Sequence, residues 1–208
     1  MPRKRDEELE ESILESAKKL FARFGPKKTT MDEIALEAGV GKGTVYYYFE
    51  DKEDIFLRVI EDEANELLER IRRAISEYEN PVHQLQAFFV ERVKSLSDLV
   101  NLRWLKFSGE SVRWESLEKE ELKLLRKEQE MVRDILEKGR DKGLFAFEDG
   151  KKLAGNLTSI ITALDRSLLE GISVKELKRK IEEIVGMLVE GLRARKLKPE
   201  KRTGGASF

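Results

Sequence analysis

An all-α fold is what this sequence predicts, and three observations carry that prediction. Apolar residues recur at three- and four-residue steps along most of the 208 residues, the spacing that puts them on one face of a helix. No segment of useful length alternates with the period of two that a strand needs, and no internal repeat is found. The pairs Gly25-Pro26 and Asn80-Pro81 fall where apolar stripes break, as expected of helix ends.

Leu9, Ile13, Leu14, Ala17, Leu20, Phe21 and Phe24 make the first stripe, which Gly25 and Pro26 stop because glycine suits a left-handed cap and proline cannot continue the ladder. Thr30-Met31-Asp32-Glu33 reads as a capping box opening a short second helix. Ile34, Ala35 and Ala38 face inward, and Gly39 turns the chain into a third short helix from about Lys42 to Phe49. Two short helices joined by a tight glycine turn define a helix-turn-helix. From Lys52 a stripe runs through Ile55, Phe56, Val59, Ile60, Ala64, Leu67, Leu68, Ile71 and Ile75, a helix of about 25 residues and roughly 37 Å. After Asn80-Pro81 comes a helix through Leu85, Phe88, Phe89, Val93 and Leu96, then a less regular stretch around Asn101 to Trp114. A charged amphipathic helix from Ser116 to Lys142, an apolar loop from Gly143 to Gly150, and helices over Lys151–Glu170 and Val174–Lys196 complete the path. The predicted organisation is a helix-turn-helix domain over 1–51, a helical regulatory, ligand-binding and dimerisation domain over 52–197, and a disordered polar tail over 198–208.

The absence of cysteine rules out disulfides and thiolate metal sites and fits a reducing cytoplasm. No signal-peptide core follows the basic first residues and no segment can span a bilayer, so a soluble cytoplasmic chain is expected. Asn156-Leu157-Thr158 matches a glycosylation sequon, but its place in an apolar helix makes it a chance match. Lys and Arg total 40 against 41 Asp and Glu, so any nucleic-acid face must be local. The wealth of Glu, Lys and Arg resembles thermophile usage, in which ion-pair networks are favoured.

The helix-turn-helix supplies such a face. Gly41 and Gly43 let the backbone approach DNA closely, Thr44 can touch a base edge or a thymine methyl, and Lys42 brings positive charge. Tyr46, Tyr47 and Tyr48 add phenolic donors over one turn. These three adjacent residues cannot all face one core, and Tyr48 is the one most open to a packing role; Phe49 is assigned to the core. Thr30 stands at a helix N-terminus, where backbone amides already favour a phosphate. Lys27, Lys28 and Lys52 complete a cationic rim, each open to the plainer reading of a solvated lysine.

The run from Thr29-Thr30-Met31-Asp32-Glu33-Ile34-Ala35 through Ala38-Gly39-Val40-Gly41-Lys42-Gly43-Thr44-Val45-Tyr46-Tyr47-Tyr48-Phe49 to Lys52-Glu53-Asp54-Ile55-Phe56 resembles the DNA-binding signature of the TetR family of repressors. The resemblance covers about the first sixty residues and implies a three-helix DNA-reading head, an all-helical regulatory body, a homodimer, and loss of operator affinity when a small molecule binds the body. It places Thr30, Lys42, Thr44, Tyr46, Tyr47 and Lys52 at the DNA, with Tyr47 and Lys52 as phosphate ligands; Gly43 and Tyr48 join the candidate contacts from the reading of the residues themselves. Gly41 departs from the pattern, standing where a capping serine or threonine is usual; glycine costs only about a few tenths of a kcal/mol there, but one phosphate contact is put in doubt.

The glycines of Gly39-Val40-Gly41-Lys42-Gly43-Thr44 invite a phosphate-loop reading, which fails on position. Gly43 rather than Ser or Thr follows Lys42, Leu36 occupies the earlier glycine site, and no strand precedes the run. The lone His83 has no Cys or second His to work with, so no enzyme, metal or cofactor is expected.

In the body, Leu153, Leu157, Ile160, Ile161, Leu164 and Leu168 form one wide stripe, and Leu177, Ile181, Ile184, Val185, Leu188 and Leu192 another. Two such helices from each protomer can close a four-helix dimer interface, with Gly155 and Gly186 allowing close approach; the stripes can equally serve only the internal core. Phe88, Phe89, Leu102, Trp104, Leu105, Phe107 and Trp114 are candidates for an apolar pocket, with Arg103, Arg113, Asn156 and Thr162 as its polar groups, although core packing explains each singly. Aromatics beside arginines point to a hydrophobic or amphiphilic effector of fatty-acid or acyl type. The rival reading is a helical ligand-binding or scaffold protein without DNA binding, supported by Gly41 and the near-neutral charge.

Overall fold

The computed structural model describes residues 2–107, 115–165 and 173–193, which form α1 (Pro2–Phe24), α2 (Met31–Glu37), α3 (Lys42–Tyr48), α4 (Lys52–Ser76), α5 (Pro81–Asp98), α6 (Val100–Phe107), α7 (Glu115–Asp141), α8 (Gly150–Asp165) and α9 (Val174–Leu192). Among these residues there is no strand, and the fold is all-α.

Local hydrogen bonds and backbone conformation set the helix ends. Gly25, φ +79°, and Gly39, φ +67°, take the left-handed conformation that ends α1 and turns α2 into α3. Thr30 caps α2 in a full capping box. Asp51 Oδ1 accepts from Asp54 N at 2.9 Å to start α4, and Asn80 Oδ1 accepts from Val82 N at 2.9 Å to start α5, with Pro81 in its first turn where no amide is needed.

The head is a three-helix unit with Ile13, Ala17, Phe21, Ile34, Val45 and Phe49 buried at its centre. Its core does not stop at α3. Phe56 of α4 meets Phe21 edge to face at 5.0 Å, so the first turns of α4 belong to the head's packing while Leu67, Leu68 and Ile71 serve the body.

The stretch around Asn101, expected to be irregular, is helical over Val100–Phe107. The reason is tertiary. Glu63 of α4, only 1% exposed, accepts from Leu102 N at 2.7 Å and from Asn101 Nδ2 at 2.9 Å, satisfying an orphan amide in the first turn of α6. Asn101 Nδ2 also donates to Lys18 O of α1 at 3.2 Å. Trp104, one of the pocket candidates, stands edge-on to Phe56 at 5.8 Å and against Gly25, where an added Cβ would lie 3.3 Å from the indole nitrogen. One short helix thus docks the body on the head.

The last helix ends at Leu192 rather than near Lys196, because Ala146 N donates to Leu192 O at 2.7 Å and Phe145 forms an isolated bridge with Arg193. Leu157, Ile161, Ile181 and Val185 of the two apolar stripes are buried inside the chain, where α9 packs on α5 and α8 on α7. Leu168 and the proposed tail over 198–208 lie outside the described residues.

Phe145 closes the body by lying flat on Gly139 of α7: a Cβ there would fall 2.0 Å from its Cδ2. Gly139→Ala should therefore lower stability by about 1–3 kcal/mol, read as a drop in the denaturant midpoint with an unchanged slope. A gain, as expected of Gly to Ala in an open helix, would show that this contact is absent.

Candidate nucleic-acid interface

The helix-turn-helix turns one side of α3 to the core and the other to solvent. Val45 is buried, whereas Lys42, Gly43, Tyr46 and Tyr47 are exposed and Thr44 is half-buried. Tyr47 is 79% exposed, far more than a tyrosine held for packing needs. An added Cβ at Gly43 would meet nothing within 4 Å, so internal packing does not require glycine there; the backbone is simply bare on the outer face.

Tyr48 separates from its neighbours. Its hydroxyl donates to Asp6 Oδ1 of α1 at 3.4 Å, and its ring meets Tyr47 edge to face. Partial burial, then the Asp6 carboxylate, push its phenol above the ordinary value, which keeps it a protonated donor. Of the three tyrosines it is the one that ties α3 to α1.

The cations are engaged as well. Lys42 Nζ lies 2.6 Å from Asp32 Oδ1, which raises the Lys42 pKa, first through the hydrogen bond and then through the attraction of the opposite charge. Lys42 also sits 5.9 Å from the Tyr46 ring centroid. Lys52 Nζ donates to Lys27 O at 3.1 Å, fastening the start of α4 to the loop before α2. The Thr30 hydroxyl accepts from Glu33 N and donates to Glu33 Oε2, so it is committed to its own helix. Gly41 caps α3 with no side-chain bond. Thr30, Lys42, Thr44, Tyr46, Tyr47 and Lys52 thus fall around α3 and the helix ends beside it.

The proposed effector residues do not converge in this way. Phe88 and Phe89 are buried against each other, Arg103 donates to Ser97 O at 3.4 Å, and the Thr162 hydroxyl is spent on Thr158 O at 2.9 Å. Asn156 faces solvent on α8, a correction to its place in a pocket, since Leu157 and Thr158 take the inward positions. The Phe107 side chain, Arg113 and Trp114 lie outside the described residues. His83 rests its ring on Tyr78 at 5.8 Å.

Three buried charged residues escaped the sequence reading. Arg92 of α5 and Glu128 of α7 are both fully buried, joined Nε to Oε1 at 2.8 Å, and Glu63 anchors α6 as described. Each lies a helical turn from apolar residues of its own stripe, Phe88 and Leu96 beside Arg92, Leu124 and Val132 beside Glu128, and Val59 and Leu67 beside Glu63. A charge set within an apolar stripe was the available signal.

Comparison with known proteins agrees with this geometry. Residues 13–59 match the model of the tetR family of bacterial regulatory proteins. An uncharacterised helix-turn-helix-type transcriptional regulator of Bacillus subtilis, YfiR, is 30% identical over 138 residues, 64% of this chain and 66% of its own. The helix-turn-helix-type transcriptional repressor BepR of Brucella suis is 39% identical over 85 residues, 40% of each chain. The matches span from 34% to 66% of the first curated relatives. A crystal structure of a transcriptional regulator from Cytophaga hutchinsonii superposes with a TM-score of 0.73 at 25% identity, covering 88% of this chain and 97% of that one. The protein is an all-helical helix-turn-helix protein of the regulator type, and it belongs to the tetR family.

The Lys42–Asp32 pair sets an expectation of its own. Asp32→Asn should free a cation on the recognition helix, raising affinity for DNA of any sequence and steepening its salt dependence by about one counterion. Fluorescence anisotropy across a salt series checks this; an unchanged slope would place Lys42 away from the phosphates.

Proposed function

We propose that this chain is a homodimeric transcriptional repressor that binds a palindromic operator through α3 and releases it when a small hydrophobic or amphiphilic molecule, of acyl type among others, occupies the body. The observation that carries the reading is the outer face of α3, where Lys42, Gly43, Thr44, Tyr46 and Tyr47 are grouped within one short helix. Thr44, in the first turn of α3, reads base edges; Tyr47 and Lys52 hold phosphates, and Tyr46 stands beside Tyr47 on the same exposed face. Thr30 contributes through the amides of the helix it caps, and Tyr48 acts by fixing α3 to α1.

The working division is a DNA head over 1–51 and a regulatory body over 52–197, with α4 as the lever shared between them. Dimerisation uses the outer side of α8 and α9. Ile160 is 47% and Met187 68% exposed, Leu153, Ile184, Leu188 and Leu192 are only half-covered, and Gly186 has no neighbour within 4 Å of an added Cβ. A second copy related by a two-fold axis covers this face with its own. The dimer then sets two recognition helices about 34–36 Å apart, or a multiple of that, in successive major grooves. Around 3 kcal/mol of preference of the effector for another spacing suffices to change operator affinity about a hundredfold. The rival reading, a ligand-binding or scaffold protein without DNA binding, draws on the uncapped Gly41 and on the neutralisation of Lys42 by Asp32.

Selection of bound fragments from genomic DNA, followed by titration of the enriched site at two salt concentrations, tests the reading. A palindrome bound with a steep salt slope supports the repressor; a folded dimer that enriches nothing gives the rival first place. On that operator, Tyr47→Phe should weaken binding roughly three- to tenfold for all sequences with no change in melting, whereas Thr44→Ala should relax the sequence preference itself. Met187→Glu should turn the dimer into a folded monomer in sedimentation velocity and abolish tight operator binding; a dimer that survives the change moves the interface elsewhere.

A further inference from the structure

Most charges of this chain lie on wet surfaces, but Arg92 and Glu128 meet at the centre of the body with no exposed side-chain surface. Arg92 Nε donates to Glu128 Oε1. Glu128 Oε2 is equally buried and, among the described residues, accepts from no donor. A carboxylate oxygen in that state costs more than an amide oxygen, because it carries a share of a full charge. The other buried acceptors without donors, the oxygens of Gln84 and Asn101, belong to neutral amides whose nitrogens are hydrogen-bonded.

Stability does not account for the pair, since apolar residues of equal volume usually serve a core at least as well. Nor do its neighbours supply the missing donor. Phe88, Phe89 and Leu96 flank Arg92, and Leu124 and Val132 flank Glu128, all buried. Ser95, the nearest buried hydroxyl along α5, is spent on Glu91.

We propose that Glu128 Oε2 is the recognition point of the body for its effector, and that this effector is an apolar molecule ending in a non-anionic hydrogen-bond donor, an ammonium or a hydroxyl. The assignment rests on the reading of the body as an effector domain and gives that effector its head group. An anionic head would set like charge against the carboxylate; a donor completes it, and the phenylalanine and leucine flanks take the tail. Because the pair is fully enclosed, the head group reaches it only by parting α5 from α7. Both of these pack on α4, so the lever senses occupancy directly.

The test uses the full chain and probes that share one tail: decylamine, decanol, decanoate and methyl decanoate, each titrated calorimetrically at neutral pH below its micellar concentration. Decylamine and decanol should bind roughly tenfold or more tightly than the other two, the ratio that one retained hydrogen bond to a charged group supplies. In Glu128→Gln, which keeps an oxygen for Arg92, that preference should fall below about threefold. Equal affinities, preference for decanoate, an unchanged ranking in the variant, or no binding by any probe would each overturn the assignment. Should Glu128→Gln fail to fold, the wild-type ranking decides alone. Operator binding measured on the same samples separates the two readings. A chain released from DNA by decanoate or the ester but not by the donors is still a regulator and loses this recognition point. A chain that ranks the probes as expected yet binds no DNA keeps the recognition point and loses the operator.

Discussion

One carboxylate, that of Glu63, decides how the head and body of this protein sit together. It is buried at the middle of α4 and receives the backbone amide of Leu102 and the side chain of Asn101, while Asn101 reaches on to a carbonyl of α1. Three helices therefore share one polar node. Leaving its donors unpaired in the interior would cost about 1–3 kcal/mol each, so α6 and the end of α1 keep their places relative to the lever. Around the node, Phe21, Phe56 and Trp104 stack edge to face in sequence. The head cannot rotate against α6 without breaking both the polar node and the aromatic contacts.

The rest of the charge obeys a different economy. Ion pairs such as Arg58–Asp62, Lys119–Glu115 and Arg179–Glu183 run along helix surfaces at four-residue spacing, where solvent screens them and each contributes little to stability. They leave no net field. The head follows the same rule: Asp32 holds Lys42 and a backbone carbonyl holds Lys52. The charge of Lys42 and of Lys52 is thus available to an anion only by exchange, the anion replacing a carboxylate at one and a carbonyl at the other.

Much of the architecture was legible in the residues. The capping box at Thr30, the glycines at 25 and 39, and Asn80 with Pro81 place helix boundaries by local hydrogen bonding and backbone conformation, and the structure uses each of them. The outer face of α3 was legible because seven residues of one helix cannot hide three consecutive tyrosines. The body was harder to read. Apolar stripes identify α8 and α9 but not the neighbour that covers each residue, so Leu157 and Val185 turn inward while Ile160 and Met187 stay out. The helix at Val100–Phe107 has no capping signal of its own, its cap being Glu63, some forty residues earlier in the chain.

The sequence by itself determined the helical class, the helix-turn-helix, its exposed reading face and the places where most helices begin and end, because these depend on contacts within one or two turns. Tertiary structure alone decided that Trp104 meets Phe56 and Gly25 and that Asn156 faces solvent. It also decided that Arg92 meets Glu128 in the buried interior, with one oxygen of Glu128 left without a donor among the described residues. Those outcomes depend on which distant helix arrives at a given face, and periodicity can say that a face is covered without saying by what.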